Sequence, residues 1–180
     1  LDLSSGKIEE VLHSKAEITG DILLDLNGML WFPTSAGEIC FNPDTKSEIT
    51  FFDAKKITAH CLKGSIIYCL GSFDTICLID TRTMASHSLP TNANSFFGSQ
   101  KPNCAQSIIF APGISGDSLL WISTCGDGVC VINIANGRYL ARFNTDNYED
   151  KGILHDWVST FLITRDSCLW MATQKGILKI

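Results

Sequence analysis

The chain has 180 residues, of which 45% are hydrophobic and 18% are charged, and its formal net charge is −5 at pH 7. This composition is typical of a folded, strand-rich protein and excludes a disordered chain or a coiled coil. The negative charge argues against nucleic-acid binding, since the densest basic spot is Lys55-Lys56, which is interpreted as a solvated turn. A membrane span is not expected either, because no apolar run reaches the roughly 18 residues that it needs.

Residues 1–13 read as strand, polar turn, strand, and we predict that they are the outer strands of a first sheet. Residues 18–52 follow with the pattern of a complete four-stranded meander. Its strands are expected at 21–26, 29–34, 38–42 and 47–52, with a type I′ turn at Asn27-Gly28 between the first two.

The same pattern recurs at 56–89, at 106–144 and, incompletely, at 157–180. Its clearest copy is the hairpin 119–133, in which a Cys-Gly-Asp-Gly turn joins two apolar runs. The polar residues Asn42, Asp80 and Asn133 begin equivalent turns. An insertion from about Ser88 to Gln106, rich in Asn, Ser, Pro and Gly, separates the second and third units.

A four-stranded unit that recurs about every 40 residues is typical of a β-propeller blade. We therefore predict an all-β fold, a partial propeller of about 3.5 to 4.5 antiparallel blades. A single blade cannot bury both of its faces, so neighbouring blades must stack. The aromatic residues at equivalent positions are expected in the inter-blade core: Trp31, Tyr68, Trp121 and Trp170.

The eight cysteines show neither a CxxC pair nor zinc-finger spacing, and most of them sit in apolar strand patterns. Free, buried thiols are therefore expected. A disulfide between Cys125 and Cys130 across the hairpin turn is the alternative that the sequence leaves open.

Residues 28–37 fit the string G-x-L-W-x-x-T-x-x-G, which resembles the two-component regulator propeller repeat. The string returns around Leu120–Thr124 and Leu169–Gly176, and Lys151–Ser159 resembles the lead-in segment of that repeat. The second unit departs from it, with Tyr68 in place of tryptophan and Gly71-Ser72-Phe73 after the strand.

The resemblance implies the periplasmic sensor region of a Bacteroides-type hybrid two-component receptor. Such receptors detect glycan-derived oligosaccharides and regulate the transcription of polysaccharide-use genes. It implies that this segment is not an enzyme and has no cofactor, metal or membrane contact, since kinase activity would lie in other domains. The rest of the receptor, or a second copy in a homodimer, is expected to complete the propeller.

Ligand contacts are expected on the two long connections, 88–106 and 144–157, because loops of a propeller commonly carry its binding sites. They combine amides and carboxylates, which bond sugar hydroxyls, with rings, which stack on sugar faces. Packing of the aromatic rings under the loops is the competing interpretation. The candidate residues are Asn92, Asn94, Phe97, Lys101, Asn103, Asp146, Tyr148, His155, Asp156 and Trp157.

Two other functions stay open. A propeller surface can act as a protein-binding scaffold. A metal-dependent propeller lyase or lactonase is the enzymatic alternative, with Asp127, His155 and Asp156 as conceivable participants. No nucleophile elbow, phosphate-binding loop or HExxH motif is present, and the four histidines are dispersed over different units.

Overall fold

The computed structural model describes residues 12, 14–97, 102, 105–112, 118–147 and 152–180. This part of the chain forms four successive antiparallel meanders, so the all-β prediction is confirmed. Sheet I contains β1 (Leu23–Leu24), β2 (Leu30–Thr34), β3 (Gly37–Asn42) and β4 (Ser47–Phe51). Sheet II contains β5 (Ala59–Lys63), β6 (Ile66–Ser72), β7 (Thr75–Asp80) and β8 (Ala85–Pro90).

Sheet III contains β9 (Ala105–Pro112), β10 (Ser118–Thr124), β11 (Val129–Asn133) and β12 (Arg138–Phe143). Sheet IV contains β13 (Val158–Ile163), β14 (Leu169–Thr173) and β15 (Gly176–Lys179). A short helix α1 (Ala93–Phe97) and a 3-10 helix (Thr145–Asn147) lie in the connections after sheets II and III. The predicted insertion was too long, because Ser88 lies in β8 and Gln106 lies in β9. Apart from Leu12, the predicted outer strands at 1–13 lie outside the described residues.

The turn between β1 and β2 is not the type I′ turn that the sequence predicted. The amide of Gly28 donates to the carbonyl of Asp25 at 3.2 Å, and within this turn only Gly28 has a positive φ, at 79°. The loop therefore spans three residues, which is a common hairpin with glycine in the left-handed position. The carboxylate of Asp25 accepts the amides of Asn27 and Met29 at 2.8 and 3.0 Å, and this shortens the first strand to two residues.

The predicted equivalent turns at Asn42, Asp80 and Asn133 share one construction. In each turn the polar side chain accepts the backbone amide two residues further on, at 2.9 Å. Such a side-chain bond imitates a backbone turn, which explains why Asn or Asp stands there. The fifth residue of each turn has a positive φ, 59° at Lys46, 58° at Met84 and 68° at Gly137.

The threonine of the repeated string closes the hairpin between the second and third strands. The hydroxyls of Thr34, Thr124 and Thr173 each donate to a glycine carbonyl at 2.8 Å. Sheet II has Gly71 at this position, where an added Cβ would lie 1.8 Å from the carbonyl oxygen of Lys56. The departure of the second unit from the string therefore allows the chain to approach β6 closely.

Interior sheets bury both faces, as strand alternation requires. In β6, Ile67 and Cys69 join the apolar cluster shared with sheet I, whereas Tyr68 and Leu70 join the cluster shared with sheet III. The first strands lie side by side, with β9 packed against β5 and β13. The four sheets thus stack in order, and the first strands of sheets II, III and IV lie side by side.

Three of the four equivalent aromatic residues pack against the following sheet. Trp31 is fully buried against sheet II, and Tyr68 is buried against sheet III. Trp121 packs beside sheet IV and stacks on Phe143 at 5.6 Å. Trp170 occupies the same position in sheet IV and is only half-buried, because no further sheet covers that face among the described residues.

Candidate ligand-binding site

The connection after sheet II uses two of its candidate residues to hold α1 on sheet III. The Asn92 side-chain oxygen accepts the amide of Tyr139 at 2.7 Å. The buried ring of Phe97 meets the ring of Tyr139 edge to face, with centroids 4.9 Å apart. Asn94 is exposed to solvent. Two further candidates lie outside the described residues, Lys101 and Asn103.

The connection after sheet III is organised by Asp156. Its carboxylate accepts the amide and the hydroxyl of Thr145 at 2.6 and 2.7 Å, and its carbonyl accepts the amide of Gly128 at 2.8 Å. Asp156 therefore links the 3-10 helix, through its side chain, to the hairpin turn of sheet III, through its backbone carbonyl. Asp146 is exposed on that helix and accepts a bond from Asn144 at 3.4 Å.

His155 and Trp157 flank Asp156. The Nδ1 atom of His155 accepts the Trp157 amide at 3.0 Å, so the imidazole carries no proton on that nitrogen in this arrangement. The Trp157 ring is 38% exposed and is available as a stacking surface. Tyr148 lies outside the described residues.

The two groups of candidates attach to opposite ends of β12. Asn92 bonds to Tyr139 near the start of the strand, whereas Asn144 directly follows its last residue, Phe143. At about 3.3 Å per residue, Tyr139 and Asn144 are about 16 Å apart. The structure therefore brings Asp146, His155, Asp156 and Trp157 together, and it places Asn92, Asn94 and Phe97 elsewhere.

A polar cavity of about 290 Å³ opens where the chain enters the first strands of sheets I, II and III. It combines a carboxylate, an ammonium, a carboxamide and two hydroxyls, and its lining residues are Glu17, Ile18, Thr19, Lys56, Thr58, Ala105 and Gln106. A smaller cavity adjoins it, shares Thr58 and Gln106, and reaches Asp21 and His60. We call the two together the axial cavity.

Two threonines of the axial cavity are oriented by equivalent lead-in segments. The amide of Thr19 donates to Pro33 and that of Thr58 donates to Leu70, each at 2.9 Å. The Thr19 hydroxyl donates to the carbonyl of Ile57, and the Thr58 hydroxyl donates to that of Leu70 at 3.1 Å. Because each hydroxyl donates its hydrogen bond to a backbone carbonyl, its oxygen can act only as an acceptor toward a ligand.

A buried pair, Glu38 and His60, joins sheets I and II beside the axial cavity. The Nε2 atom of His60 contacts the carbonyl oxygen of Asp21 at 2.8 Å, so this nitrogen must carry a proton. Its Nδ1 atom forms a hydrogen bond with Glu38 Oε1 at 2.6 Å. The other oxygen, Glu38 Oε2, is buried without a hydrogen-bond partner among the described residues.

Five residues of the axial cavity were not among the predicted site residues: Glu17, Thr19, Lys56, Thr58 and Gln106. The first four lie on short lead-in segments, and Gln106 is the last residue of the long connection predicted at 88–106 and lies in β9. The signal was the repeated Ile-Thr pair, Ile18-Thr19 and Ile57-Thr58, which precedes the first strand in two successive units. Its meaning depends on the stacking of the sheets, which brings the lead-in segments together.

The cysteines are mostly buried thiols, as predicted, and six are free. Burial raises the pKa of Cys61 and of Cys130 to about 12, so both stay protonated and unreactive at neutral pH. Cys125 is disulfide-bonded, and its partner lies outside the described residues. The alternative disulfide between Cys125 and Cys130 is wrong, because Cys130 is free.

The described residues contain no group of three or more His, Cys, Asp or Glu side chains that could hold a metal ion. Of the conceivable lyase residues, Asp127 forms an ion pair with Arg142 at 3.1 Å, and Asp156 holds Thr145. Within the described ranges, no helix has the length and apolar character to cross a membrane.

No protein-family model and no curated protein matches the sequence. Solved structures do share the fold. The extracellular domain of the hybrid two-component system BT4673 from B. thetaiotaomicron gives a TM-score of 0.63 at 16% identity, over 93% of this chain and 21% of that chain. The corresponding domain of BT3049 from B. thetaiotaomicron gives 0.53 at 16% identity, over 93% of this chain and 29% of that chain. The computationally designed Ika4 protein gives 0.63 at 12% identity, over 97% of this chain and 98% of that chain.

At these identities the likeness concerns the fold. The chain spans 21% of the BT4673 domain and nearly the whole of Ika4. The two natural neighbours are extracellular domains of hybrid two-component systems, the receptor class to which the sequence resemblance points.

Proposed function

We propose that this chain is a ligand-sensing segment of an extracytoplasmic, periplasmic receptor of the hybrid two-component type. It forms a partial β-propeller of about 3.5 to 4.5 blades and binds glycan-derived oligosaccharides, so that the receptor regulates genes for polysaccharide use. The observation that carries the proposal is the axial cavity, in which three successive sheets of a receptor-like fold present polar side chains to one space.

The stacking of the sheets supports the propeller. Strands β5, β9 and β13 are the first strands of their sheets and lie next to one another, as the inner strands of propeller blades do. Strand alternation divides the apolar residues of β6 between two neighbouring sheets. Both features support sheets arranged around a common edge.

The disulfide of Cys125 supports an extracytoplasmic location. Structural disulfides persist in oxidising compartments and are rare in the cytosol, where thiols are kept reduced. Gln106, which lines the axial cavity, donates a hydrogen bond to the sulfur of Cys125 at 2.8 Å. The disulfide therefore lies beside the proposed binding site and helps to fix its rim.

The axial cavity fits a sugar better than an apolar ligand. The Glu17 carboxylate can accept hydrogen bonds from two sugar hydroxyls. Lys56 and Gln106 can donate hydrogen bonds to sugar oxygens, and the threonine oxygens can accept them. Its volume of about 290 Å³ lies at the lower limit for small-molecule sites, so one or two sugar rings fill it. The exposed His155 and Trp157 region is proposed as a second, peripheral contact for a longer ligand. We propose binding without catalysis for this segment.

The uncovered face of sheet IV is proposed as the contact with another unit of the same repeat. An apolar groove of about 370 Å³ lies there, and Leu162 and Ile177 are 61% and 70% exposed. Trp170 in this groove is equivalent to Trp31, which sheet II covers completely. In the 180-residue protein, a second copy supplies the covering sheet and gives a homodimer.

Signalling is proposed to follow from a shift in the arrangement of the sheets. A ligand in the axial cavity contacts three sheets at once, so it favours the arrangement in which the lead-in segments lie closest. The Glu38 and His60 pair ties sheet I to sheet II beside this point. Binding therefore changes the relative stability of neighbouring blades.

Calorimetric titration with a panel of neutral and acidic oligosaccharides tests the function. We expect at least one member to bind and Glu17→Ala to weaken it about tenfold, the loss of one hydrogen bond to a charged group. Glu48→Ala is the matched control, because Glu48 is exposed on β4 and lies away from the cavity lining. Failure of the whole panel to bind would contradict oligosaccharide sensing and leave the scaffold function.

A further inference from the structure

A second groove, of about 350 Å³, lies between the end of sheet I and the hairpin of sheet II. It is distinct from the axial cavity and shares only Lys56 with it. Its lining residues are Lys55, Lys56, Ile57, Gly71, Ser72, Thr75 and Cys77. Two ammonium groups and two hydroxyls therefore border one groove, and none of its lining residues is acidic.

The positive charge of this groove is not neutralised within the described part of the chain. Neither Lys55 nor Lys56 has a carboxylate within salt-bridge distance there. Burial raises the pKa of the Cys77 thiol, and the hydrogen bond with Ser88 and then the charge of Lys55 partly oppose this effect. The Lys55 ammonium also lies 5.7 Å from the ring centroid of Phe52.

The segment that carries the lysines is held in a strained conformation. Phe52 and Ala54 have φ values of 55° and 62°, in the left-handed region that residues with a side chain rarely adopt. The amide of Ala54 donates to Ala36 at 3.0 Å, which holds the segment on the hairpin of sheet I. Strain of this kind persists where the surrounding structure imposes it, and it concentrates at functional sites.

Gly71 fits the segment to sheet II. Its absent side chain leaves room for the carbonyl of Lys56, which an added Cβ would meet at 1.8 Å. The lysines are therefore brought against Ser72 and Thr75 by a close contact that only glycine permits. The Lys55-Lys56 segment is therefore held in a defined position against sheet II, which differs from the solvated turn that the sequence predicted.

We propose that this groove binds an oxyanion substituent of an oligosaccharide, either the carboxylate of a uronic acid or a sulfate ester. Lys55 and Lys56 supply charge and the hydroxyls of Ser72 and Thr75 supply hydrogen bonds. The inference rests on the proposed function and narrows its ligand class to acidic saccharides. Since Lys56 borders both spaces, one oligosaccharide places a sugar in the axial cavity and its charged group in the groove.

The test compares matched saccharides by calorimetry on the 180-residue protein. Tri-galacturonic acid is paired with galactotriose, and a sulfated galactose oligosaccharide is paired with its desulfated form. We expect one charged member to bind at least tenfold more tightly than its neutral partner, with an affinity that falls as salt is raised. The pair that shows the difference distinguishes a carboxylate ligand from a sulfate ester.

Lys55→Gln isolates the groove, because Lys55 does not line the axial cavity. We expect this variant to lose most of the preference for the charged saccharide and to retain the affinity for the neutral one. Lys175→Gln removes the same charge from an exposed turn of sheet IV and should change neither. Thr75→Val is the second variant, and we expect it to reduce the preference for the charged saccharide by a smaller factor than Lys55→Gln does.

Equal binding of charged and neutral saccharides, or a charge preference that survives Lys55→Gln, would overturn the inference and leave the proposed function standing. If no saccharide of either kind binds, the proposed function fails and the inference fails with it.

Discussion

Replacing His60 with leucine tests the buried pair that joins sheets I and II. Glu38 is fully buried, and its Oε2 atom already has no partner among the described residues. The His60→Leu variant removes the contact at Oε1 as well, so the buried carboxyl group loses its imidazole partner. It also removes the bond to the carbonyl of Asp21.

The expected loss of unfolding free energy is large for a single substitution. Removing one member of a buried ion pair costs about 3–5 kcal/mol. With a dependence on urea of about 2 kcal/mol per M, this loss moves the unfolding midpoint down by about 2 M. Equilibrium urea unfolding followed by circular dichroism measures the shift.

The double variant His60→Leu with Glu38→Leu separates two contributions to the loss of unfolding free energy. One is the cost of a buried carboxyl group without its imidazole partner, and the other is the loss of packing around residue 60. Replacing both members of a buried pair by apolar side chains is often neutral or stabilising, so the double variant should recover most of the loss. A midpoint change below about 0.5 M for His60→Leu alone would refute the reasoning. So would a double variant that is less stable than the single one.

The remaining predictions concern the stacking of the sheets. In the Leu162→Lys with Ile177→Lys background, where no second copy covers sheet IV, Trp31→Ala should cost about 3–5 kcal/mol in urea unfolding. Trp170→Ala should cost less than about 1.5 kcal/mol in that background, because no following sheet covers it among the described residues; equal losses would contradict this difference in covering. Leu162→Lys with Ile177→Lys should convert the proposed homodimer to a monomer in sedimentation velocity, whereas Leu24→Lys with Leu26→Lys, on the exposed part of sheet I, should leave it unchanged; a wild-type monomer at all concentrations would exclude the dimer.

Local chemistry explains what the sequence predicted well. The turns that begin at Asn42, Asp80 and Asn133 were recognised because the side chain that forms each turn is the residue that repeats. Thr34 was recognised in the same way, since its hydroxyl closes the hairpin in which it stands. Hydrogen bonds between residues within about five positions of each other can therefore be predicted from the sequence.

The incorrect or missed predictions involve contacts that the local sequence pattern does not specify. Asn27-Gly28 suggested a two-residue turn, but the carboxylate of Asp25 favours a three-residue loop. Glu38 and His60 are 22 residues apart and belong to different sheets, so no local pattern relates them. Cys125 was expected to be a free thiol, with a disulfide to Cys130 as the alternative; Cys125 is disulfide-bonded and Cys130 is free.

The binding site shows the same limit. The long connections drew attention because of their composition, yet Asn92 and Asp156 use their side chains to hold backbone amides. The axial cavity is made of ordinary residues from three successive units, and it exists because the sheets stack next to one another. Its residues can be identified only once that stacking is known.

The most direct test of the axial cavity is the location of the bound ligand. Amide chemical shifts of the isotope-labelled protein should be followed during titration with the tightest-binding saccharide of the calorimetric panel. The account predicts that the largest changes fall on Thr19, Thr58 and Gln106, on three successive sheets. Changes confined to 144–147 and 152–157, or to the uncovered face of sheet IV, would contradict it.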